Sequence, residues 1–397
     1  MQTFIRKFFQ SASSAGIILF SCVVLALIIA NSPLAESFHR LLHTTIGFET
    51  AHVHLRYSTE LWINDGLMAI FFLLVGLEIK RELVSGGLAT PKQAALPILC
   101  AFGGAIVPAL IYFFINSGKD TVSGWGIPMA TDIAFALALL AMLGDRVPAS
   151  LKVFLAALAI VDDLIAILVI AIFYSTNLEF AYLAYALGIF GLMLLFNKLG
   201  IRSLFFYLIP ALFVWYFIHH SGIHATIAGV LTAFTIPIRS ADDQESPLVR
   251  LEHALLTPVN FLIVPLFALA NTAITFTPSM LDGLTSPLGL GIILGLLVGK
   301  PIGIFLLSKT ATKLKLALLP DGASWQHIIG VGLLAGVGFT MAIFIALLSF
   351  TDPALIAEAK FGILVASLIS GTAGYVLLRN TPKSPNIIKD IDAVIPQ

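Results

Sequence analysis

Charge is what this sequence has least of. Only 11% of its 397 residues are Asp, Glu, Lys or Arg, against about a quarter in an ordinary soluble domain. The 22 basic and 22 acidic side chains cancel, so no overall field exists to draw nucleic acid or an acidic partner. Cysteine is nearly absent. Cys22 and Cys100 both lie in apolar stretches, and no paired Cys/His spacing suggests structural zinc or a disulfide framework. What fills the chain is apolar: 58% hydrophobic side chains and a mean hydropathy of +0.99 exclude a soluble domain and specify an all-α polytopic membrane protein.

Apolar runs long enough to cross a bilayer predict about twelve spans. They cover 15–30, 61–79, 94–115, 125–143, 151–174, 180–196, 204–218, 223–238, 251–274, 288–307, 328–350 and 361–378. With the N-terminus inside, seventeen Lys and Arg fall on the cytoplasmic side and four (Arg40, Arg56, Lys119, Lys360) on the other, while Lys300 lies within a span. That asymmetry predicts both termini in the cytoplasm. Arg6 and Lys7 before the run 16–30 fit a retained first span, the preferred reading, or the first part of a signal peptide; both leave the same sidedness.

Everything up to residue 381 reads as one transmembrane domain, and 382–397 as a polar cytoplasmic tail. Between the first two spans, 37–42 suits a short interfacial helix, and 46–58 alternates partly like strand. A hairpin there would be marginal alone and would pair with another subunit; a plain loop is the alternative.

Few charges lie deep. Asp162 and Asp163 stand side by side in LAALAIVDDLIAIL, Asp132 lies mid-span in WGIPMATDIAFAL, and Lys300 lies in LLVGKPIGIF. Each intramembrane carboxylate costs roughly 2.5–3.5 kcal/mol on insertion scales, so function is the default reading: a site that binds and releases a cation or proton. The alternative is a buried polar pair satisfied by neighbouring helices. Successive helical residues point about 100° apart, so the two aspartates have different roles, one facing the ion path and the other reaching Lys300. Asp65, near a span end, reads as interfacial.

Pro128 beside Thr131 and Asp132 predicts an interrupted fourth span, with the Thr131 hydroxyl next to the Asp132 carboxylate. Gly336-Val337-Gly338-Phe339-Thr340 is an analogous weak point in the eleventh. These spans sit mid-way in two trios, about 94–174 and 288–378, that run in opposite orientation, the pattern of an inverted repeat with broken helices crossing at the midplane. Asp132 would then offset the facing amino-terminal helix ends and Lys300 the carboxyl-terminal ends.

At these residues the chain resembles the NhaA-type sodium/proton antiporters. The carrying stretches are WINDGLMAIFFLLVGLEIKREL (62–83), PMATDIAFAL (128–137), LAIVDDLIAI (158–167), SGIHATIAGV (221–230), LEH (251–253), LLVGKPIG (296–303) and GVGFTMAIFIA (336–346). The resemblance implies a multi-pass protein of the bacterial inner membrane, homodimeric, exchanging cytoplasmic Na+ or Li+ for more than one external proton, active at alkaline pH and needing no cofactor. It implies that Asp163 is the central cation ligand and proton carrier, that Asp162 pairs with Lys300, and that Asp132 and Thr131 are the broken helix's contribution. It also implies pH sensing by Glu78, Arg81, Glu252 and His253, and by His224. Val249 and Leu256 depart from the basic residue and histidine that family members can carry there, and His219 and His220 read as loop residues.

Other readings are weaker. An intramembrane aspartyl protease would need a GxGD motif that is absent, and a cation channel a filter motif that is absent. A sodium-coupled symporter would need a polar pocket for which the remaining spans offer only Asn64, Asn260 and Asn271.

Overall fold

The computed structural model describes residues 12–50, 53–175, 178–239 and 245–382. Lys383 and the rest of the expected tail, Arg6 and Lys7 lie outside them. Helix α1 (Ala12–Ala30) carries no charged residue and stops at Asn31, whose side chain donates to Ile274 O and accepts from Phe276 N. The chain turns through 112° into α2 (Ala35–His43), a short amphipathic helix with a Glu36–Arg40 pair one turn apart. Strands β1 (Thr45–Glu49) and β2 (His54–Ser58) then pair antiparallel, with Thr45 opposite Ser58.

Helix α3 (Thr59–Val84) contains a π-helical stretch, Trp62–Leu67. Trp62 Nε1 donates to Ile46 O and ties that stretch to the hairpin. Helix α4 (Pro91–Asn116) follows, then a 3-10 segment Asp120–Met129, α5 (Ile133–Met142) and α6 (Ala149–Phe173). Next come α7 (Phe180–Lys198), α8 (Phe205–His220) and α9 (Ile227–Thr235). Helices α10 (Pro247–Asn271), α11 (Pro287–Lys313), α12 (Trp325–Ala335), α13 (Phe339–Ser349) and α14 (Pro353–Asn380) complete the described chain.

Among the described residues seven helices are long and apolar enough to cross a membrane, and ten spans result if each of three bent pairs counts once. The expected spans 204–218 and 223–238 differ most. The first runs on through His219 and His220, which are therefore helical rather than loop. The second is helical only over Ile227–Thr235, about 13 Å of rise where a bilayer core needs about 30 Å. Gly222, at φ 83°, breaks the chain before it. Its far end is closed by Lys80, whose ammonium donates to Phe234 O at 2.7 Å and Ile236 O at 2.6 Å.

Helix α6 is central. Two-thirds of its most apolar stretch (67%) is buried, against 11% for α7, so α6 meets protein on most sides and α7 meets mainly lipid-facing surface. The core beside it holds Phe72, Phe267 and Phe344, with the Phe72 and Phe344 rings 5.5 Å apart. Helices α4 and α11 cross at Gly103 and Gly303. A Cβ built on Gly303 would stand 2.0 Å from Gly103 O, so only glycine allows the two backbones to meet there.

Candidate functional site

Two helix breaks build the site. The segment Asp120–Met129 meets α5 at 41°, and α12 meets α13 at 47°. In the first, Gly124 and Gly126 weaken the helix and Pro128 removes a donor, and the backbone is extended at Ala130 and Asp132. In the second, a Cβ on Gly336 would stand 2.4 Å from Leu296 O, so glycine lets α11 pass against the broken chain. The breaks touch: Asp132 N donates to Val337 O at 2.7 Å.

Asp132 is buried between the starts of two helices. Its Oδ1 accepts from Phe135 N at 2.9 Å, capping α5, and its Oδ2 accepts from Thr340 N at 3.1 Å and Thr340 Oγ1 at 2.5 Å, in the first turn of α13. One carboxylate thus answers orphan amides and the positive dipole ends of both helices. The carboxyl-terminal ends are served differently from the sequence expectation. Lys300 Nζ donates to Met129 O, the end of the first segment only. The end of α12 is met by Thr131, whose hydroxyl reaches Ala335 O at 2.9 Å.

Thr131 also departs from its expected place beside Asp132. Its hydroxyl lies 2.6 Å from Asp162 Oδ2, and having one proton it donates to Asp162 or to Ala335 O at any moment. The same Asp162 oxygen accepts from Lys300 Nζ at 2.6 Å. Asp162 is 1% exposed, Asp163 2% and Lys300 0%, so the ion pair is fully withdrawn from water. Helical geometry turns Asp163 about 100° away. Among the described residues, Asp163 Oδ2 and Asp162 Oδ1 are buried with no hydrogen-bond partner. Two carboxylate oxygens on consecutive residues therefore stand free to accept, in a place where an unmet acceptor is costly. Oxygen donors of that kind suit a hard cation, or a proton, as cargo.

The residues expected to sense pH do not form one cluster. Arg81 Nε donates to both carboxylate oxygens of Glu252 at 3.0 Å, and Arg81 Nη1 pairs with Glu82 at 2.8 Å. Glu78 is partly buried on α3, one turn before Arg81 and Glu82. His253 turns away to Glu245 at 2.7 Å. His224 lies elsewhere, packed edge-on against Phe344 with ring centroids 5.2 Å apart.

His224 belongs to a set that sequence reasoning missed. Asp65, expected at the interface, is buried on the π-helical stretch and faces His219 Nδ1 at 3.2 Å and His224 Nε2 at 3.6 Å. Trp215 Nε1 donates to Asp65 O at 3.1 Å. A clue was available: His219 lies four residues after Trp215, directly beyond the apolar run 204–218, so the two share a face if the helix runs on. Thr340 was also missed as a ligand of Asp132; its place at the second break was the signal.

Residues 6–378 match the family described as Na+/H+ antiporter 1. The chain is 61% identical over 378 residues to the Na(+)/H(+) antiporter NhaA 2 of Flavobacterium johnsoniae, covering 95% of this chain and 92% of that protein. It is 51% identical over 379 residues to the Na(+)/H(+) antiporter NhaA of Flavobacterium psychrophilum, covering 96% of each. Among solved structures, the sodium proton antiporter MjNhaP1 from Methanocaldococcus jannaschii at pH 8 superposes with a TM-score of 0.52 at 14% identity, over 92% of each chain, a likeness of fold alone.

Proposed function

The chain belongs to the Na+/H+ antiporter 1 family, and from that membership we propose that it exchanges cytoplasmic Na+ or Li+ for external protons by competition at Asp163. The observation that carries this mechanism is the pair of unmet carboxylate oxygens, Asp163 Oδ2 and Asp162 Oδ1, beside an ion pair at the contact of two broken helices. A carboxylate there can hold a cation or a proton but hardly both. A single site open alternately to each side then exchanges the two without a separate coupling device.

Each residue has a role in this reading. Asp163 binds the ion and carries the proton. Lys300 holds Asp162 in place and keeps the site's charge low enough for burial. Thr131 fixes the same Asp162 oxygen, leaving Oδ1 turned toward the cargo. Asp132 steadies both helix breaks. Two acidic side chains for one monovalent cation allow more than one proton per turnover, which makes exchange electrogenic. Glu78, Arg81 and Glu252 regulate it by pH from the cytoplasmic end, with His253 at their edge and His224 in the separate Asp65 set.

The architecture that accompanies this function is twelve crossings, reached when the bent pairs each count once and α8 and α9 are included. The trios about 94–174 and 288–378 form an inverted repeat within one domain, 1–381, followed by a tail. Both termini are cytoplasmic, in the inner membrane of a bacterium. The exposed hairpin of β1 and β2 supports a homodimer joined there.

Vesicles with an acidic lumen reported by a pH dye test the proposal. Adding Na+ or Li+, but not choline, alkalinises the lumen promptly, and Asp163→Asn abolishes the response while the protein stays folded. Full exchange in that variant refutes the assignment.

A further inference from the structure

The outer side of the broken helices carries a second feature. Helices α1, α5 and α14 enclose a groove of about 660 Å3 that is also lined by Val337, within the break between α12 and α13, and Phe339, the first residue of α13. Among the described residues its open side is apolar and unpartnered: Phe20 is 50% exposed, Met142 57% and Leu368 65%. Along α1 the lining runs from Gly16 to Leu27, and along α14 from Leu364 to Tyr375. Either stretch spans about 16 Å, close to half of the roughly 30 Å hydrocarbon core, the depth of one leaflet.

One end of the groove is basic. Arg379 follows Tyr375 by four residues on α14 and so lies about one turn beyond that lining residue, while Arg146 closes the short turn Gly144–Arg146 that follows α5 and its lining residue Met142. Both are exposed, and Arg146 Nη1 donates to Arg379 O at 3.3 Å, which brings the two to the same mouth. Among the described residues Asp145 is the neighbouring acidic one, leaving two guanidiniums against one carboxylate.

We propose that this groove holds one acyl chain of an anionic phospholipid, whose phosphate is bound by Arg146 and Arg379. The leaflet-length apolar channel fits the chain, and the paired guanidiniums select the charge of the headgroup. The chain end would lie against Val337 and Phe339. Phe339 N donates to Ser367 Oγ at 3.1 Å, and Ser367 also lines the groove, so the lipid is in direct contact with the groups that hold the second break.

Native mass spectrometry of the full-length detergent-solubilised protein, with added phosphatidylglycerol or phosphatidylcholine of identical chains, tests this independently of transport. The wild type retains one phosphatidylglycerol per chain in preference to phosphatidylcholine. Leu368→Trp, which fills the groove, lowers retention at least about tenfold, while Phe113→Trp on exposed α4 surface does not. Arg146→Gln with Arg379→Gln lowers the headgroup preference by about threefold to tenfold, as expected for two exposed ion pairs. An unchanged unfolding midpoint in each variant excludes misfolding as the cause. Equal retention of both lipids by the wild type, or undiminished retention by Leu368→Trp, overturns the proposal. So does a disulfide between Phe8→Cys and Leu368→Cys, which would seat the chain's own N-terminal segment in the groove.

Discussion

Replacing Lys300 by methionine removes a charge from a place with no water to substitute for it. Lys300 is 0% exposed and Asp162 1%, and the ammonium lies 2.6 Å from the carboxylate. Removing one partner of such a pair leaves the other buried and uncompensated, a cost of about 3–5 kcal/mol. Lys300→Met also strands Met129 O, for about a further 1–3 kcal/mol. Asp162→Asn alone strands the ammonium instead. In the double variant both charges are gone, and the asparagine oxygen still accepts from Thr131, so only the loss at Met129 remains. The double-mutant cycle cancels that shared term and leaves the two stranded-charge costs together, a coupling of about 6–10 kcal/mol. Equilibrium unfolding of the four proteins in mixed micelles measures it. Additivity within about 0.5 kcal/mol at neutral pH would refute the argument that the pair is held by mutual compensation.

Other perturbations read out separate features. Gly303→Ala drives a methyl group into Gly103 O and should destabilise the α4–α11 crossing by about 1–3 kcal/mol; an unchanged unfolding midpoint would mean that the helices slide freely. Gly188→Ala on α7, where a Cβ meets nothing within 4 Å, should instead stabilise by about 0.5–1 kcal/mol through helix propensity. Arg81→Gln removes the guanidinium beside Glu252, making the neighbouring carboxylates harder to ionise. If their ionised form switches exchange on, the activity profile moves to more alkaline pH; a profile that stays put, or moves to acid, removes this group from the regulation.

Depth was legible in the sequence, whereas direction was not. A charge in an apolar run is buried wherever the run packs, so Asp132, Asp162, Asp163 and Lys300 could be singled out by composition alone. Helix interruption was equally legible, because Pro128 and the Gly336–Gly338 pair act on their own backbone. Which face each residue presents depends on helix rotation, set by contacts far along the chain. Thr131 therefore reached Asp162, thirty-one residues on, and Thr340 reached Asp132 across two hundred and eight. Asp65 was misplaced for the same reason: its position near a span end implied water, but α8 brought Trp215 and His219 over it. Lys80, one of the seventeen basic residues counted on the cytoplasmic side, gave no sign that its ammonium closes the last turn of α9.

The double cap at Asp132 has a mechanical meaning. A carboxylate that satisfies the first turns of α5 and α13 together acts as a rivet between two rods, fixing their starting points while each rod keeps its own direction. Rivets remove degrees of freedom. Neither half-helix can slide or swivel at this point without tearing buried hydrogen bonds from both, so any motion that admits an ion must carry the junction as one solid piece. Compliance has to be found at its margins, in the parts of α5 and α13 beyond their first turns.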